Sequence, residues 1–363
     1  MPKVIVGMSG GVDSSVTACL LKEQGFEVEG VSFLIWEARE RCNLDACCSL
    51  EAARSAAQTA GEIGIPHREV DVREAFIEAV IEPFVSAYCK GITPNPCILC
   101  NRRIKFPFLL EEAAKRGADY VATGHYARVE RSAIGSPSPA SPAGSCILKK
   151  GLDGKKDQSY VLYGLRPEEL GRLLLPLGDL EKHDVREIAR SRGLPAAERP
   201  ESQEICFIGK EGYASFIEGL SPSWSQPGRI VDREGTILGS HSGIFRYTIG
   251  QRKGLGIPSP EPYYVTAIDP LANLVRVGRR EEALASSVVV SEFNWLASPP
   301  SRTFRATVKI RSMMADVPAT VEIHNGEVIL RFDEPQWAPA PGQSAVWYLG
   351  DTVVGGGIIT QTR

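Results

Sequence analysis

Two short stretches hold residue types that can do chemistry. The first is Val6 to Ser15, VGMSGGVDSS. It follows a β-branched apolar run and leads into a segment of helical spacing, which makes it a strand-to-helix turn. Its glycines let backbone N–H groups turn toward one point. Ser9, Ser14 and Ser15 add hydroxyl donors, and the helix start adds the positive end of its dipole. That combination suits a phosphate. It is not the G-x-x-x-x-G-K-[ST] loop, because no lysine closes it. Asp13 can cap the helix or offer an oxygen to Mg²⁺. The second stretch is Gly91 to Phe106, GITPNPCILCNRRIKF, with Cys97 and Cys100 in a C-x-x-C pair followed by Arg102, Arg103 and Lys105.

The C-x-x-C spacing is half of a zinc site, and a zinc ribbon needs a second pair. The only comparable cluster is Cys42, Cys47 and Cys48. A thioredoxin-like dithiol fits poorly, since two prolines precede the pair and no Trp-Cys-Gly context surrounds it. The cations after Cys100 favour its thiolate, the form that acts as nucleophile or ligand. A further cysteine, Cys206, stands in PESQEICFIG between Ile and Phe. In such a setting a lone cysteine is ordinarily a small buried hydrophobe.

The elements that would position these residues alternate over the first 125 positions. Strands are expected at Lys3–Met8, Val28–Trp36, His67–Val72 and Tyr120–Thr123. Helices are expected at Ser14–Gln24, Leu50–Ile63, Ala75–Cys89 and Phe108–Arg116. This order implies a mostly parallel sheet with helices on both faces. Residues 132 to 146 are rich in Ser, Pro, Ala and Gly and read as a solvated excursion. A helix is expected at Asp184–Arg192. After about position 208 short Gly/Pro-punctuated strands take over. In VEIHNGEVILRF the Asn325-Gly326 pair predicts a type I′ hairpin that sets Ile323 opposite Val328 and Val321 opposite Leu330. In TFRATVKIRS, Phe304, Ala306, Val308 and Ile310 share one face, while Arg305, Thr307, Lys309 and Arg311 share a positive face suited to phosphate.

The 363 residues and net charge of −3 describe an ordinary globular chain with room for two or three domains, and give no bulk charge that demands nucleic acid. The start lacks the features of a signal peptide, and no apolar run is long enough for a membrane span. A cytoplasmic protein is expected, with no membrane partner and with nine cysteines free, metal-bound or catalytic rather than in disulfides.

The string SGGVDSS in this setting resembles the PP-loop of ATP pyrophosphatases, which split ATP into AMP and pyrophosphate while adenylating a substrate oxygen. That loop is shared by synthetases acting on small metabolites, tRNA-modifying ligases and tRNA thiolases. The chain as a whole closely resembles the bacterial tRNA-specific 2-thiouridylases. The matching strings run nearly end to end: VIVGMSGGVDSSV, GITPNPCILCNRRIKF, ATGHYAR, KKDQSYVLYGL, PLGDLEKHDVREIA, SQEICFIG, HSGIFRYTIGQRKGLGI, YVTAID and PGQSAVWYLGDTVVGGGII.

The resemblance implies a PP-loop catalytic domain over 1–207, a small β-rich central domain over 208–281 and an RNA-contacting β-barrel over 282–363. It implies ATP and Mg²⁺ as cofactors, and transfer of sulfur to the 2-position of the wobble uridine of tRNA species for lysine, glutamate and glutamine. Gly7, Met8, Ser9, Gly10, Gly11, Val12, Asp13, Ser14, Phe33 and Gly124 would line the ATP site. Asn95, Pro96 and Cys97 would approach the target base. His125, Lys156, Asp157, Gln158, Arg311, Ser312 and Gln343 would contact tRNA, with Arg276, Arg279 and Arg280 extending that surface. Cys100 would be a nucleophile and Cys206 the carrier of transferable sulfur as a persulfide. The chain departs from many relatives at Cys97, where they have aspartate. Cys97, Cys100 and Cys206 could then anchor a [4Fe-4S] cluster with one open iron. Sulfur would come from a persulfide relay protein or from inorganic sulfide. A PP-loop ligase acting on a small metabolite is the alternative, and would need neither Cys100 nor Cys206.

Overall fold

The computed structural model describes residues 1–36, 48–131, 146–199, 205–221 and 224–363. Cys42 and Cys47, and most of the Ser/Pro-rich stretch, lie outside these residues.

The first body is built on a parallel sheet. Its strands are β1 (Lys3–Gly7), β2 (Glu27–Leu34), β3 (His67–Asp71), β4 (Tyr120–Ala122) and a short strand at Leu173–Leu174, in the spatial order β3-β2-β1-β4 with the short strand outermost. β1 is central, and its Val4, Ile5 and Val6 are fully buried. Alternation divides them between two cores. Val4 and Val6 pack with Ala18 and Leu21 of α1 (Val12–Glu23) and with Ala56 and Ala60 of α2 (Cys48–Ile63). Ile5 packs on the opposite face with Leu109 and Ala113. Helices on both faces explain why β1 is continuously apolar.

The helical stretch expected at Ala75–Cys89 is α3 (Arg73–Phe76) and α4 (Glu82–Cys89), joined by a π-helical turn over Ile77–Ile81. The helix expected to start at Phe108 starts earlier. The chain is helical from α5 (Pro96–Cys100) through a second π-turn, Asn101–Lys105, into α6 (Phe106–Lys115). Pro83 and Pro107 each follow a π-turn closely. A proline lacks an N–H and crowds the preceding carbonyl, and a wide turn accommodates both defects without ending the helix.

Beyond β4, the hairpin of β5 (Ala127–Arg131) and β6 (Cys146–Lys150) leaves the parallel sheet. It extends a distant sheet instead, with Lys149 opposite Thr352. Two helices follow, α7 (Pro167–Leu170) and α8 (Lys182–Ser191), and then α9 (Gly212–Leu220). The central body is a four-stranded sheet of Gly228–Val231, Ile237–His241, Tyr264–Asp269 and Leu274–Gly278.

The last body is a six-stranded antiparallel barrel. Its strands run Leu284–Trp295, Thr303–Lys309, Val317–His324, Glu327–Trp337, Ser344–Leu349 and Thr352–Thr362, and the first pairs with the last to close it. The hairpin register is as the sequence predicts, with Ile323 opposite Val328 and Val321 opposite Leu330. Asn325 and Gly326 both take positive φ, 38° and 86°, as a type I′ turn requires. Trp347 is fully buried inside the barrel with Val308 and Leu330. On the outer face Val346, Tyr348 and Val353 join Leu148, Tyr160 and Leu162 in one core. No helix among the described residues is long and apolar enough to cross a membrane.

Candidate active site

The strand order reverses direction at β1 and β4, which places a ligand crevice at their carboxyl ends. Residues 8–14 and 123–125 occupy that position. Gly10 has φ of +72°, and a Cβ there would stand 2.3 Å from the carbonyl oxygen of Ala52. Only glycine suits both the backbone and the contact. Gly124 lies against the start of α1, where a Cβ would meet the backbone of Asp13 and Ser14 at 2.8 Å. The turn is held internally. The Ser9 amide donates to Ser14 Oγ at 3.1 Å, and Ser14 and Ser15 hydroxyls donate to Gly11 O at 3.1 and 2.9 Å. Ser55 and Arg199 donate to Gly10 O at 3.2 and 3.3 Å. Gly11 supplies no side-chain cap to α1. The first-turn amides, which no helix can satisfy internally, are therefore left as donors suited to an anion.

Asp13 has partners of its own. Both its oxygens accept from Lys182 Nζ, at 2.7 and 2.8 Å, and Oδ1 also accepts from Tyr126 Oη at 2.7 Å. As placed, it is not an open ligand for Mg²⁺. Phe33 lies on β2 with its ring 6.3 Å from that of Phe108, edge to face.

The thiols lie on the neighbouring flank. Asn95 caps α5 by accepting from the Cys97 amide at 3.1 Å, and Pro96 takes the first helical position. Cys97 and Cys206 are accessible and Cys100 is half-buried. Even so, protein crowding pushes all three thiols up. Cys206 is raised to about 12, with the neighbouring Cys100 and Cys97 adding to the effect of burial. Groups that are accessible yet crowded line a recess. Lys105 opposes the shift at each thiol, and it also acts with burial to hold His125 well below the usual imidazole range. One cation thus lies within electrostatic reach of three cysteines and of the residue after Gly124. Among the described residues no group of His, Cys, Asp or Glu side chains is placed to hold a metal ion, and Cys97, Cys100 and Cys206 are no exception.

Several of the residues expected at RNA have partners within the chain. His125 is buried, pairs with Thr123 Oγ1 at 2.7 Å and stacks on Phe106. Asp157 accepts from the Gly151 and Ser159 amides and forms a buried 2.8 Å ion pair with Lys309. Gln158 Oε1 accepts from the Tyr126 amide at 3.0 Å. Lys156 and Ser312 are half-buried. Arg311 donates to the carbonyls of Ala338 and Ile249, at 2.7 and 3.3 Å, and Arg305 pairs with Asp333. The cations on the expected positive face of the 303–311 strand thus have partners within the chain, and that strand's apolar face is buried as read. Arg279 and Arg280 lie over the rings of Tyr263 and Trp337. Arg276 is half-buried on its strand.

Gln343 donates to the carbonyls of Thr93 and Pro94 at 3.0 and 3.4 Å, and the Thr93 amide donates to Pro341 O at 2.9 Å. Gly342 is packed onto Ile92, and Gly91 onto Ile268 of the central sheet. The approach to the cysteine helix is therefore held by the barrel and the central body together. Sequence reading missed Lys182, Tyr126 and Arg199. For Lys182 a signal existed, since a lysine in the first turn of a helix opposes the dipole and needs a nearby anion to explain it.

Sheet, uncapped loop and thiol recess together define a nucleotide-using enzyme with a HUP domain. The family models that match are a tRNA methyl transferase HUP domain over residues 2–210, a tRNA methyl transferase PRC-barrel domain over 215–279 and an aminomethyltransferase β-barrel domain over 285–359. The chain is 46% identical to the tRNA-specific 2-thiouridylase MnmA of Geobacter metallireducens, covering 98% of this chain and 96% of that protein. It is 47% identical to tRNA-specific 2-thiouridylase MnmA 1 of Caldanaerobacter subterraneus, covering 98% and 97%. With the enzyme of that name from Clostridioides difficile it shares 43% identity over 99% and 98%. A solved 4-thiouridine synthetase–RNA complex aligns with 57% of this chain and 45% of its own at 19% identity, with a TM-score of 0.36, too distant to inform the site. The chain belongs to the tRNA-specific 2-thiouridylase family.

Proposed function

We propose that this chain is a tRNA-uridine 2-sulfurtransferase. The observation that carries the reading is the adjacency of the anion loop and the cysteine helix: Gly124 lies against the start of α1, and His125 beside it stacks on Phe106, which follows that helix. The uridine 2-oxygen is a poor leaving group. Attack by that oxygen on the α-phosphorus of ATP makes it an AMP ester and expels pyrophosphate. The first-turn amides of α1 and the serine hydroxyls suit the developing charge on that leaving group. Mg²⁺ would offset the charge of the nucleotide phosphates.

Cys206 carries the sulfur as a persulfide. Its terminal sulfur attacks carbon 2, the C2–O bond breaks, and AMP leaves carrying the former 2-oxygen. Cys100, giving up its proton as it does so, then attacks Cys206 Sγ and breaks the S–S bond to the base. This releases 2-thiouridine and leaves a Cys100–Cys206 disulfide, which an external thiol reduces. Cys97, with Asn95 and Pro96, stands at the mouth of the recess where the base enters, a single-stranded base turned out of its loop. As placed, Cys97, Cys100 and Cys206 do not form a metal-holding group, and no step runs through a [4Fe-4S] cluster.

The division into bodies 1–207, 208–281 and 282–363, the cytoplasmic location and the preference for tRNAs of lysine, glutamate and glutamine are parts of the same proposal. So is the sulfur donor: a persulfide passes its outer sulfur to the Cys206 thiolate and leaves as a thiol, whereas sulfide would have to open the Cys100–Cys206 disulfide, which supplies the two-electron oxidation and frees Cys100 as a thiol. Purified chain, ATP and unmodified tRNA provide the test. Pyrophosphate release that depends on tRNA, with 2-thiouridine in the digested product once a persulfide donor is added, is the expected result. Release with a small acceptor and none with tRNA would overturn the reading.

A further inference from the structure

The geometry points to Lys182 as a positioning residue that neutralises Asp13 and so sets the loop's affinity for the phosphates of ATP. The inference rests on the nucleotide reading above. Asp13 is the second residue of α1, in the turn whose amides are left as donors suited to an anion. A carboxylate there stabilises the helix dipole, but it also repels any phosphate that the same amides attract. Lys182 meets both carboxylate oxygens, at 2.7 and 2.8 Å, and its ammonium lies 5.4 Å from the centre of the Tyr126 ring. The Lys182 side chain is 12% exposed and Tyr126 2%. In such a partly dry setting charges act at higher strength than in water.

Lys182 is itself fixed. It opens α8, and its amide donates to Asp153 Oδ2 at 3.1 Å. Tyr126, through its hydroxyl, holds the carboxylate from the other side. The ammonium thus cancels a negative charge at the mouth of the anion loop from 169 residues away in sequence.

Two readouts on the full chain test this: calorimetric binding of inorganic pyrophosphate without tRNA, and the ATP KM in tRNA-dependent pyrophosphate release. Lys182→Met leaves Asp13 uncompensated, and both affinities should fall about 10- to 100-fold while the tRNA KM stays within about twofold. Lys182→Arg should retain most of the affinity. The decisive variant is Asp13→Asn combined with Lys182→Met, which removes both charges and should restore pyrophosphate affinity to within about threefold of the parent chain. It also serves if Lys182→Met alone does not fold. A double variant that folds yet binds pyrophosphate as weakly as Lys182→Met would show that Lys182 touches phosphate itself and would overturn the charge-balance role. If the parent chain binds pyrophosphate but never uses ATP with tRNA, the proposed function fails while this inference stands.

Discussion

The anion loop and the thiol recess lie side by side yet are built in opposite ways. The loop is local. Residues 6–15 supply the donors, their own hydroxyls brace them, and Gly10 and Gly124 bring the backbones together. The recess is assembled from a distance: Cys97 and Cys100 come from one helix and Cys206 from over 100 residues later. The loop is ready for its ligand, whereas the thiols rest in their unreactive protonated form. The contrast teaches that a contiguous segment braces its own donors, whereas thiols brought together from distant segments crowd one another.

The sharpest break between the two is Cys206→Ser. It should abolish 2-thiouridine, a loss of about 1,000-fold or more, while tRNA-dependent pyrophosphate release stays within about twofold. Equal loss of both would mean that the two regions act as one. Gly10→Ala attacks the other side. Strain of about 1–3 kcal/mol should raise the ATP KM by about 5- to 100-fold and leave thiol alkylation rates unchanged. Alkylation of Cys206 by iodoacetamide sharpens the comparison. The raised pKa means that thiolate appears only as pH rises, so the rate should climb about tenfold per pH unit with no plateau below pH 9. A plateau near pH 8 would contradict the crowded recess. The smallest effect concerns RNA. Arg102 and Arg103 are exposed beside the cysteines and have no ion-pair partner among the described residues. Replacing one by Ala should lower the slope of log affinity against log salt by about 0.7 per lost phosphate contact. A flat slope change would move the RNA path elsewhere.

What could be read from sequence follows the same divide. The loop was legible because its string, its turn and its helix are contiguous. The 325–326 hairpin was legible because its turn type and alternation agree. The start of the cysteine helix was misjudged, since Pro107 resembles a stop and only the π-turn before it lets the helix continue. The ion pairing on the positive strand face was hidden for a different reason. Asp157 lies 152 residues from Lys309, and nothing local announces the pairing. For the same reason Lys182 could be suspected from its place in a helix but not matched to Asp13. The link of Cys206 to the C-x-x-C pair came from resemblance, and spacing alone would have left it a buried hydrophobe.

The β5–β6 hairpin has a consequence in time. Its outer edge finds a partner only at Thr352, and Leu148, Tyr160 and Leu162 complete their core only against Val346, Tyr348 and Val353. At a synthesis rate of about 5–20 residues per second, the ribosome needs roughly 10 to 40 s to travel from one to the other. For that interval the nascent chain carries an open strand edge and a half-covered apolar surface. That core is therefore complete only once Val346, Tyr348 and Val353 have emerged.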